Sequence, residues 1–238
     1  MSIELYATKI VAEVLADRAN LEFAYRNSPD DNLYFMMIDL VQSTNYRIKN
    51  GPERGYIRNE SFFTLVRSAM RPYGSITRIK EMGDATLVCC PRLLPLFESA
   101  VLIDHAAQQI NSMSDDPSIP FEIRMGIDFG VARKLSRRVE DYLGSSIDRL
   151  SRIMSAKSQR TSLLIEDRAY GINKKEIEQY AAIASPSEPL SLSLPTSKAL
   201  SEPVIYREIV LQKQTAKPFV DYFVEWQRTA PPSPQDDR

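Results

Sequence analysis

The spacing of apolar and polar positions along this chain predicts a mixed α+β protein. Apolar residues at helical spacing predict a long N-terminal helix over residues 3–26 and further helices over residues 53–70, 94–113 and 144–156. Short apolar runs bounded by polar or turn-forming residues predict strands at residues 33–38, 75–80, 85–90, 121–129 and 204–210. The order strand, helix, strand, strand, helix, strand is the split βαββαβ arrangement of an α+β sandwich.

The same pattern divides the chain into three parts. We expect an N-terminal helix in residues 1–30, a single elaborated domain in residues 31–212, and a C-terminal extension in residues 213–238. Residues 185–203, rich in Ser, Pro and Leu, are predicted to loop around one or two short strands. The final ten residues, TAPPSPQDDR, cannot bury apolar surface and are predicted to be disordered.

Charge and composition exclude several partners. The chain has 238 residues, 43% of them hydrophobic, and a net charge of −1, so it has no general attraction for nucleic acid or for an anionic membrane. No segment approaches the roughly 20 apolar residues of a membrane span, and we therefore expect a cytoplasmic protein. The only cysteines, Cys89 and Cys90, are adjacent, which favours buried reduced thiols over a disulfide or a zinc site.

Two carboxylates follow apolar strands. Asp39 ends the run LYFMMI, and Asp84 lies in the tight reversal that joins the strands at residues 75–80 and 85–90. If these strands are neighbours in one sheet, both side chains project at the same edge and repel each other. A divalent cation such as Mg²⁺ or Mn²⁺ would relieve this repulsion. The alternative is that each aspartate caps a turn or helix.

Four ordered segments resemble the catalytic domains of class III nucleotidyl cyclases. They are DLVQST (residues 39–44), KEMGD (80–84), RMGIDFG (124–130) and DYLGSSIDRLSR (141–152), and KALSEPVIY (198–206) is similar to the lysine segment that closes the family's domain. The resemblance covers about residues 33–210. It implies a ferredoxin-like βαββαβ sandwich with an antiparallel sheet.

The resemblance also implies a reaction and its ligands. Class III cyclases close the ribose 3′-hydroxyl onto the α-phosphate of a nucleoside triphosphate and release pyrophosphate, using two divalent cations per site, Mg²⁺ or Mn²⁺. Asp39, Asp84 and the backbone carbonyl of Leu40 match the metal ligands, and Arg152 matches the arginine that stabilises the transition state. The helical pattern alone leaves open that Arg152 is a surface residue. The family's sites are shared across a homodimer.

Residues that match the substrate contacts give a mixed indication of the base. Lys80 and Asp141 occupy the positions at which adenylate cyclases read adenine, and Lys198 matches the lysine that contacts the triphosphate. Asp148 replaces the asparagine that orients the ribose. Gln42 replaces the glycine of the first motif, which we expect to reshape the turn beside the metal ligands.

The departures resemble those of stand-alone bacterial pyrimidine cyclases of anti-phage signalling. That resemblance favours UTP or CTP as substrate and cyclic UMP or cyclic CMP as a messenger for a separate effector protein. Tyr56, which lies near Arg58 in the following helix, could stack on a small base or belong to the core with Phe62 and Val66. An adenylate cyclase that makes cyclic AMP is one alternative. A non-catalytic nucleotide-binding dimerisation module is another.

Three further features have simpler interpretations. Arg133 begins a basic segment, residues 133–138, which either steers a triphosphate or is a solvated loop. Gly126 and Gly130 are expected to mark a bulge or a close backbone approach. His105, the only histidine, lies within a predicted helix away from every motif and is expected to be structural.

Overall fold

The computed structural model describes residues 3–113, 121–134, 142–156, 162–180, 184–192 and 203–211. The helices are α1 (Ile3–Asn27), α2 (Ser43–Asn50), α3 (Pro52–Met70), α4 (Leu93–Met113), α5 (Ser145–Ala156), α6 (Asp167–Ile172) and α7 (Lys174–Glu178). The strands are β1 (Asp30–Leu40), β2 (Thr77–Met82), β3 (Ala85–Cys90), β4 (Ile123–Lys134), β5 (Tyr142–Leu143), β6 (Ser162–Glu166), β7 (Ala184–Pro186), β8 (Leu190–Leu192) and β9 (Val204–Leu211).

One sheet joins all the described strands, in the order β2-β3-β1-β4-β6-β9-β7, with β5 beside β4 and β8 beside β9. The pairs β2–β3, β3–β1 and β1–β4 are antiparallel, and this part of the sheet is the predicted ferredoxin-like βαββαβ unit. The prediction of an α+β sandwich is therefore confirmed. Beyond β4 the sheet continues through β6, which runs parallel to β4, and through β9.

The core lies on both faces of this sheet, which explains why β1 is apolar throughout. On one face, Met36 and Ile38 of β1 belong to the large cluster that includes residues of α3 and α4. On the other face, Phe35 and Met37 pack in a second cluster with Leu150 of α5. Since successive side chains of a strand point to opposite faces, a strand covered on both sides must be apolar at every position.

The structure describes the N-terminal helix, which precedes residues 31–212, but not the segment that follows them. Helix α1 is as predicted, and its side chains are exposed where they are described, with Val14 at 59%. The predicted extension, residues 213–238, and its tail lie outside the described residues, so the domain boundaries stay predictions. Cys89 and Cys90 are buried free thiols. Within the described part of the chain no helix is long and apolar enough to cross a membrane.

Several elements were not predicted. Helix α2 follows β1 where the sequence indicated only a polar connection, and β6, α6 and α7 follow α5 in a region that showed no regular pattern. Strand β4 extends through Lys134 instead of ending at residue 129. The predicted short strands near residue 185 correspond to β7 and β8. These differences leave the order of the βαββαβ unit unchanged.

Candidate active site

The two candidate metal carboxylates lie at one edge of the sheet. Asp39 is opposite Ala85 of β3 on one side and opposite Arg124 of β4 on the other. The backbone N–H of Leu40 donates to the carbonyl oxygen of Asp84 at 3.0 Å. Gly83, with φ 64°, forms the left-handed turn that places Asp84 beside the end of β1. The structure thus brings together the acids that the sequence placed on neighbouring strands.

Asp39 is held by Arg124. The Nε of Arg124 donates to Oδ2 of Asp39 at 3.1 Å, Nη2 of the same guanidinium donates to the same oxygen, and Nη1 donates to the carbonyl oxygen of Met154 at 3.2 Å. Burial raises the pKa of Asp39 above its ordinary value, the bonds from Arg124 oppose this shift, and the charge of Asp84 adds to it. Asp84 accepts a hydrogen bond from the Ser43 hydroxyl.

This donor set fits a divalent cation. Two carboxylates and the Leu40 carbonyl are oxygen ligands, which Mg²⁺ and Mn²⁺ prefer. Asp84 lies close enough to Asp39 for its charge to raise the pKa of Asp39, and a bound cation would offset that repulsion. No cluster of three or more His, Cys, Asp and Glu side chains that could hold a metal occurs among the described residues. The candidate metal site is the pair of carboxylates at the sheet edge, because Asp39 and Asp84 lie at adjacent strand ends.

A cavity of about 400 Å³ opens beside Asp84. It is lined by Ser43, Thr44, Arg47, Gly55, Asn59, Gly83 and Asp84. A Cβ atom on Gly55 would lie 2.9 Å from both Cβ and Cγ of Arg47, so glycine at this position lets the arginine lie against α3. Arg47 and Asn59, which line this cavity, were not among the candidate residues predicted from the sequence. The signal that could have found them is the glycine inside α3, since glycine in a helix often marks close packing.

The turn into α2 depends on Gln42. This residue has φ 59° and ψ 25°, and it is the only non-glycine residue with positive φ among those described. Such a conformation crowds the Cβ atom of any residue except glycine. Gln42 therefore adopts a backbone conformation that favours glycine, the residue found at this position in the motif that the segment resembles.

Helix α5 carries two further predicted residues, and a buried ion pair fixes it to β4. Asp148 is exposed and Arg152 is half-buried. Arg149 donates from Nε and Nη2 to the two oxygens of Asp128, both at 2.9 Å. Asp128 is fully buried, and burial raises its pKa to about 6, although the bonds from Arg149 lower it. Sequence reasoning did not find this pair.

The structure describes only some of the remaining predicted site residues. Lys80 lies on β2 with an exposed side chain, whereas Asp141 and Lys198 fall outside the described residues. Tyr56 is 66% exposed, so the expectation that it could belong to the core is wrong, because it lies on the outward side of α3. Arg58 is buried, with its guanidinium 4.6 Å from the ring centroid of Tyr46.

His105 lies in α4, where its Nε2 is 3.1 Å from Nε2 of Gln109. Neither atom belongs to the candidate site, and the structural role of this histidine stays a prediction.

The sequence matches no family model and no curated protein. Solved structures nevertheless share its fold. An adenylate/guanylate cyclase/hydrolase from Silicibacter pomeroyi superposes with a TM-score of 0.62 at 16% identity, covering 78% of this chain and 100% of that one. The adenylyl cyclase CyaB from P. aeruginosa superposes with a TM-score of 0.58 at 19% identity, covering 79% of this chain and 98% of that one.

The guanylate cyclase domain of RhGC from Catenaria anguillulae, solved in complex with GTP, gives a TM-score of 0.59 at 14% identity and covers 78% of this chain and 100% of that one. At identities this low, the superpositions establish likeness of fold alone. The chain has the fold of adenylate and guanylate cyclase catalytic domains.

Proposed function

We propose that this protein is a nucleotidyl cyclase that converts a nucleoside triphosphate to its 3′,5′-cyclic nucleotide and pyrophosphate. The observation that carries the proposal is the pair Asp39 and Asp84 at adjacent strand ends of a cyclase fold. Paired carboxylates at this edge, next to a polar cavity that contains Arg47, suit a substrate that brings phosphate groups and metal ions together.

The proposed roles follow from the chemistry of each group. Asp39, Asp84 and the Leu40 carbonyl hold two divalent cations, Mg²⁺ or Mn²⁺. When bound, such cations lower the pKa of the attacking 3′-hydroxyl and offset charge on the triphosphate. Arg152 supplies a fixed positive charge for the transferring phosphoryl group, since its guanidinium stays protonated. Lys198 contacts the triphosphate, and the oxygen that leaves the α-phosphorus departs with pyrophosphate.

The catalytic unit in this proposal is a homodimer. The metal carboxylates come from one protomer, while Asp148 and Arg152 on α5 and the base-reading residues Lys80 and Asp141 come from its partner. Support comes from the resemblance of the motifs to the class III family, whose sites are shared in this way. A symmetric dimer would then contain two equivalent sites.

The proposed substrate is a pyrimidine nucleotide, UTP or CTP, and the product serves as a messenger for a separate effector protein in anti-phage defence. Asp148, in place of the ribose-orienting asparagine, and Gln42, in place of the motif glycine, support this choice by their resemblance to pyrimidine cyclases. Tyr56 is accessible enough to contact a base. Lys80 and Asp141 favour ATP instead, so an adenylate cyclase is the second candidate.

The test is turnover of each nucleotide. Purified protein is incubated with Mn²⁺ and separately with ATP, GTP, CTP or UTP, and the products are identified by mass spectrometry. A cyclic pyrimidine nucleotide is expected, and Asp39→Ala or Asp84→Ala should abolish it. Formation of cyclic AMP from ATP would support the proposed cyclase activity and overturn the proposed preference for pyrimidine nucleotides. If the protein binds nucleotide but forms no cyclic product, the proposed cyclase activity is wrong, and a non-catalytic nucleotide-binding dimerisation module is favoured.

A further inference from the structure

Arg124 connects the candidate metal site to α5. It lies on β4 directly opposite Asp39 of β1, and two of its nitrogens donate to Oδ2 of that aspartate. Its third nitrogen, Nη1, donates to the carbonyl oxygen of Met154, in the last turn of α5, at 3.2 Å. One guanidinium therefore joins a proposed metal ligand to the helix that carries Arg152 and Asp148.

The chain contains a second pair of the same kind for comparison. Arg133 and Asp30 are also direct cross-strand partners on β4 and β1, at the opposite end of the same two strands. There Nη2 of Arg133 donates to Oδ2 of Asp30 at 3.2 Å, but the Asp30 side chain is 51% exposed. The Asp39 side chain is only 15% exposed, and that of Arg124 is 22% exposed.

Because the Arg124–Asp39 pair is more buried than the Arg133–Asp30 pair, Asp39 depends more strongly on its arginine than Asp30 does. A carboxylate in a shielded site needs a positive partner, because water stabilises its charge less well there. Arg124 supplies that partner at Oδ2 of the same carboxylate that the proposed cation would use. The positive charges of the guanidinium and of a divalent cation repel each other at one shielded carboxylate, so the two compete for Asp39.

We propose that Arg124 is a positioning residue that acts as the internal counterion of Asp39 in the metal-free protein, and that a divalent cation must displace it to bind. The inference rests on the proposed function of Asp39 and Asp84 as metal ligands. Displacement also removes a reason for the guanidinium to stay where Nη1 reaches Met154, so metal loading loosens a link to the end of α5. Occupation of the metal site is thereby coupled to the helix that carries Arg152.

The first experiment measures Mn²⁺ affinity without nucleotide, by the loss of the electron paramagnetic resonance signal of free Mn²⁺. Arg124→Met removes the competing charge and keeps an unbranched apolar side chain. Arg133→Met is the matched control, since it breaks the equivalent pair at the other end of the strands. We expect Arg124→Met to bind Mn²⁺ roughly fivefold more tightly or better, and Arg133→Met to bind like the wild type.

A second readout follows the guanidinium itself. In the wild-type protein, the ¹⁵N-detected Nε–H resonance of Arg124, assigned by its absence from Arg124→Lys, should move on titration with Mg²⁺, while that of Arg133 should not. If Arg124→Met fails to fold, Arg124→Gln takes its place, because the amide removes the positive charge and still offers Asp39 a hydrogen-bond donor. Its Mn²⁺ affinity should exceed that of the wild type.

The outcomes separate this inference from the proposed function. The Asp84→Asn variant should bind Mn²⁺ more weakly than the wild-type protein does. Unchanged binding in that variant would overturn the metal site and with it the proposed function. If Asp84→Asn does weaken binding but the Arg124 variants bind Mn²⁺ no more tightly than the wild type, the metal site stands. In that case the proposal that Arg124 competes with the cation for Asp39 is wrong.

Discussion

Gln42 has an unfavourable backbone conformation at the turn that follows the metal strand. Its φ of 59° lies in the left-handed region, where residues with a Cβ atom are destabilised by about 1 kcal/mol or more relative to glycine. Replacement by glycine also makes the unfolded chain more flexible, which offsets part of the gain. We expect Gln42→Gly to raise the free energy of unfolding by about 0.5–1 kcal/mol, measured by chemical denaturation.

Gln42→Ala is the control for this prediction. Alanine retains the Cβ atom that makes the conformation unfavourable, so this variant should not be stabilised. If Gln42→Ala gained as much stability as Gln42→Gly, the glutamine side chain would be responsible and not the backbone conformation.

Individual site residues were predictable where a local pattern marked them. Asp39 and Asp84 stand out because each follows an apolar strand or lies in a short turn, and both belong to motifs that resemble the cyclase family. The pairing of Asp39 with Arg124 was not predictable, because it depends on the register of β1 against β4. Arg47 was missed for a related reason, since its role depends on a helix that the pattern did not show.

At the scale of elements, α5 is fixed to β4 by close packing and by charge. A Cβ atom on Gly126 would lie 2.8 Å from Cδ1 of Leu150, and one on Gly130 would collide with the hydroxyl oxygen of Ser146. The two glycines of the strand motif thus allow the helix to approach, as the sequence indicated. Asp128, between them, meets Arg149 on the same helix.

The buried pair predicts a dependence of stability on pH. Burial raises the pKa of Asp128 to about 6 from 3.8, against the effect of Arg149 and together with the charge of Glu166. Between these two values the folded chain keeps a proton that the unfolded chain has released, so the free energy of unfolding falls as pH rises. Asp128→Asn carries no titratable proton. Its unfolding free energy should therefore fall less over this range, by up to about 1.4 kcal/mol per pH unit.

The measurement is a series of denaturation curves for both proteins from about pH 4 to about pH 7, the window set by the raised pKa of Asp128. The difference between the two unfolding free energies should change across the window and become constant above it. Parallel profiles throughout would mean that Asp128 is ionised in the folded protein over the whole range, with Arg149 outweighing the effect of burial.

Burial and length together decided which elements of the domain were predictable, whereas the exposed helix α1 was predicted from its spacing alone. Strand β1 and helices α3 and α4 have many buried side chains, so their apolar spacing was visible in the sequence. None of the residues of α2 is buried, so its sequence, STNYRIKN, has no apolar face to reveal a helix. Strand β6 is a five-residue run, SLLIE, too short to be distinguished by periodicity from part of a buried helix.

At the scale of the whole molecule, the proposed site is divided between two protomers. Each metal pair would be completed by Arg152 of the partner subunit, so a dimer of Asp39→Ala protomers has no intact site, and neither has a dimer of Arg152→Ala protomers. A mixed dimer contains one site in which both defects meet and one site in which neither occurs. Mixing the two inactive variants should therefore restore activity.

The size of the recovery can be stated in advance. Random exchange of equal amounts gives about half of the dimers in mixed form, each with one intact site out of two, so activity per protomer should reach about a quarter of the wild-type value. The matched control mixes Asp39→Ala with Asp84→Ala. Both defects then lie in the metal pair, every site of a mixed dimer is damaged, and no activity should return. If subunit exchange is verified by mass spectrometry and the first mixture also stays inactive, Arg152 does not act across the dimer interface.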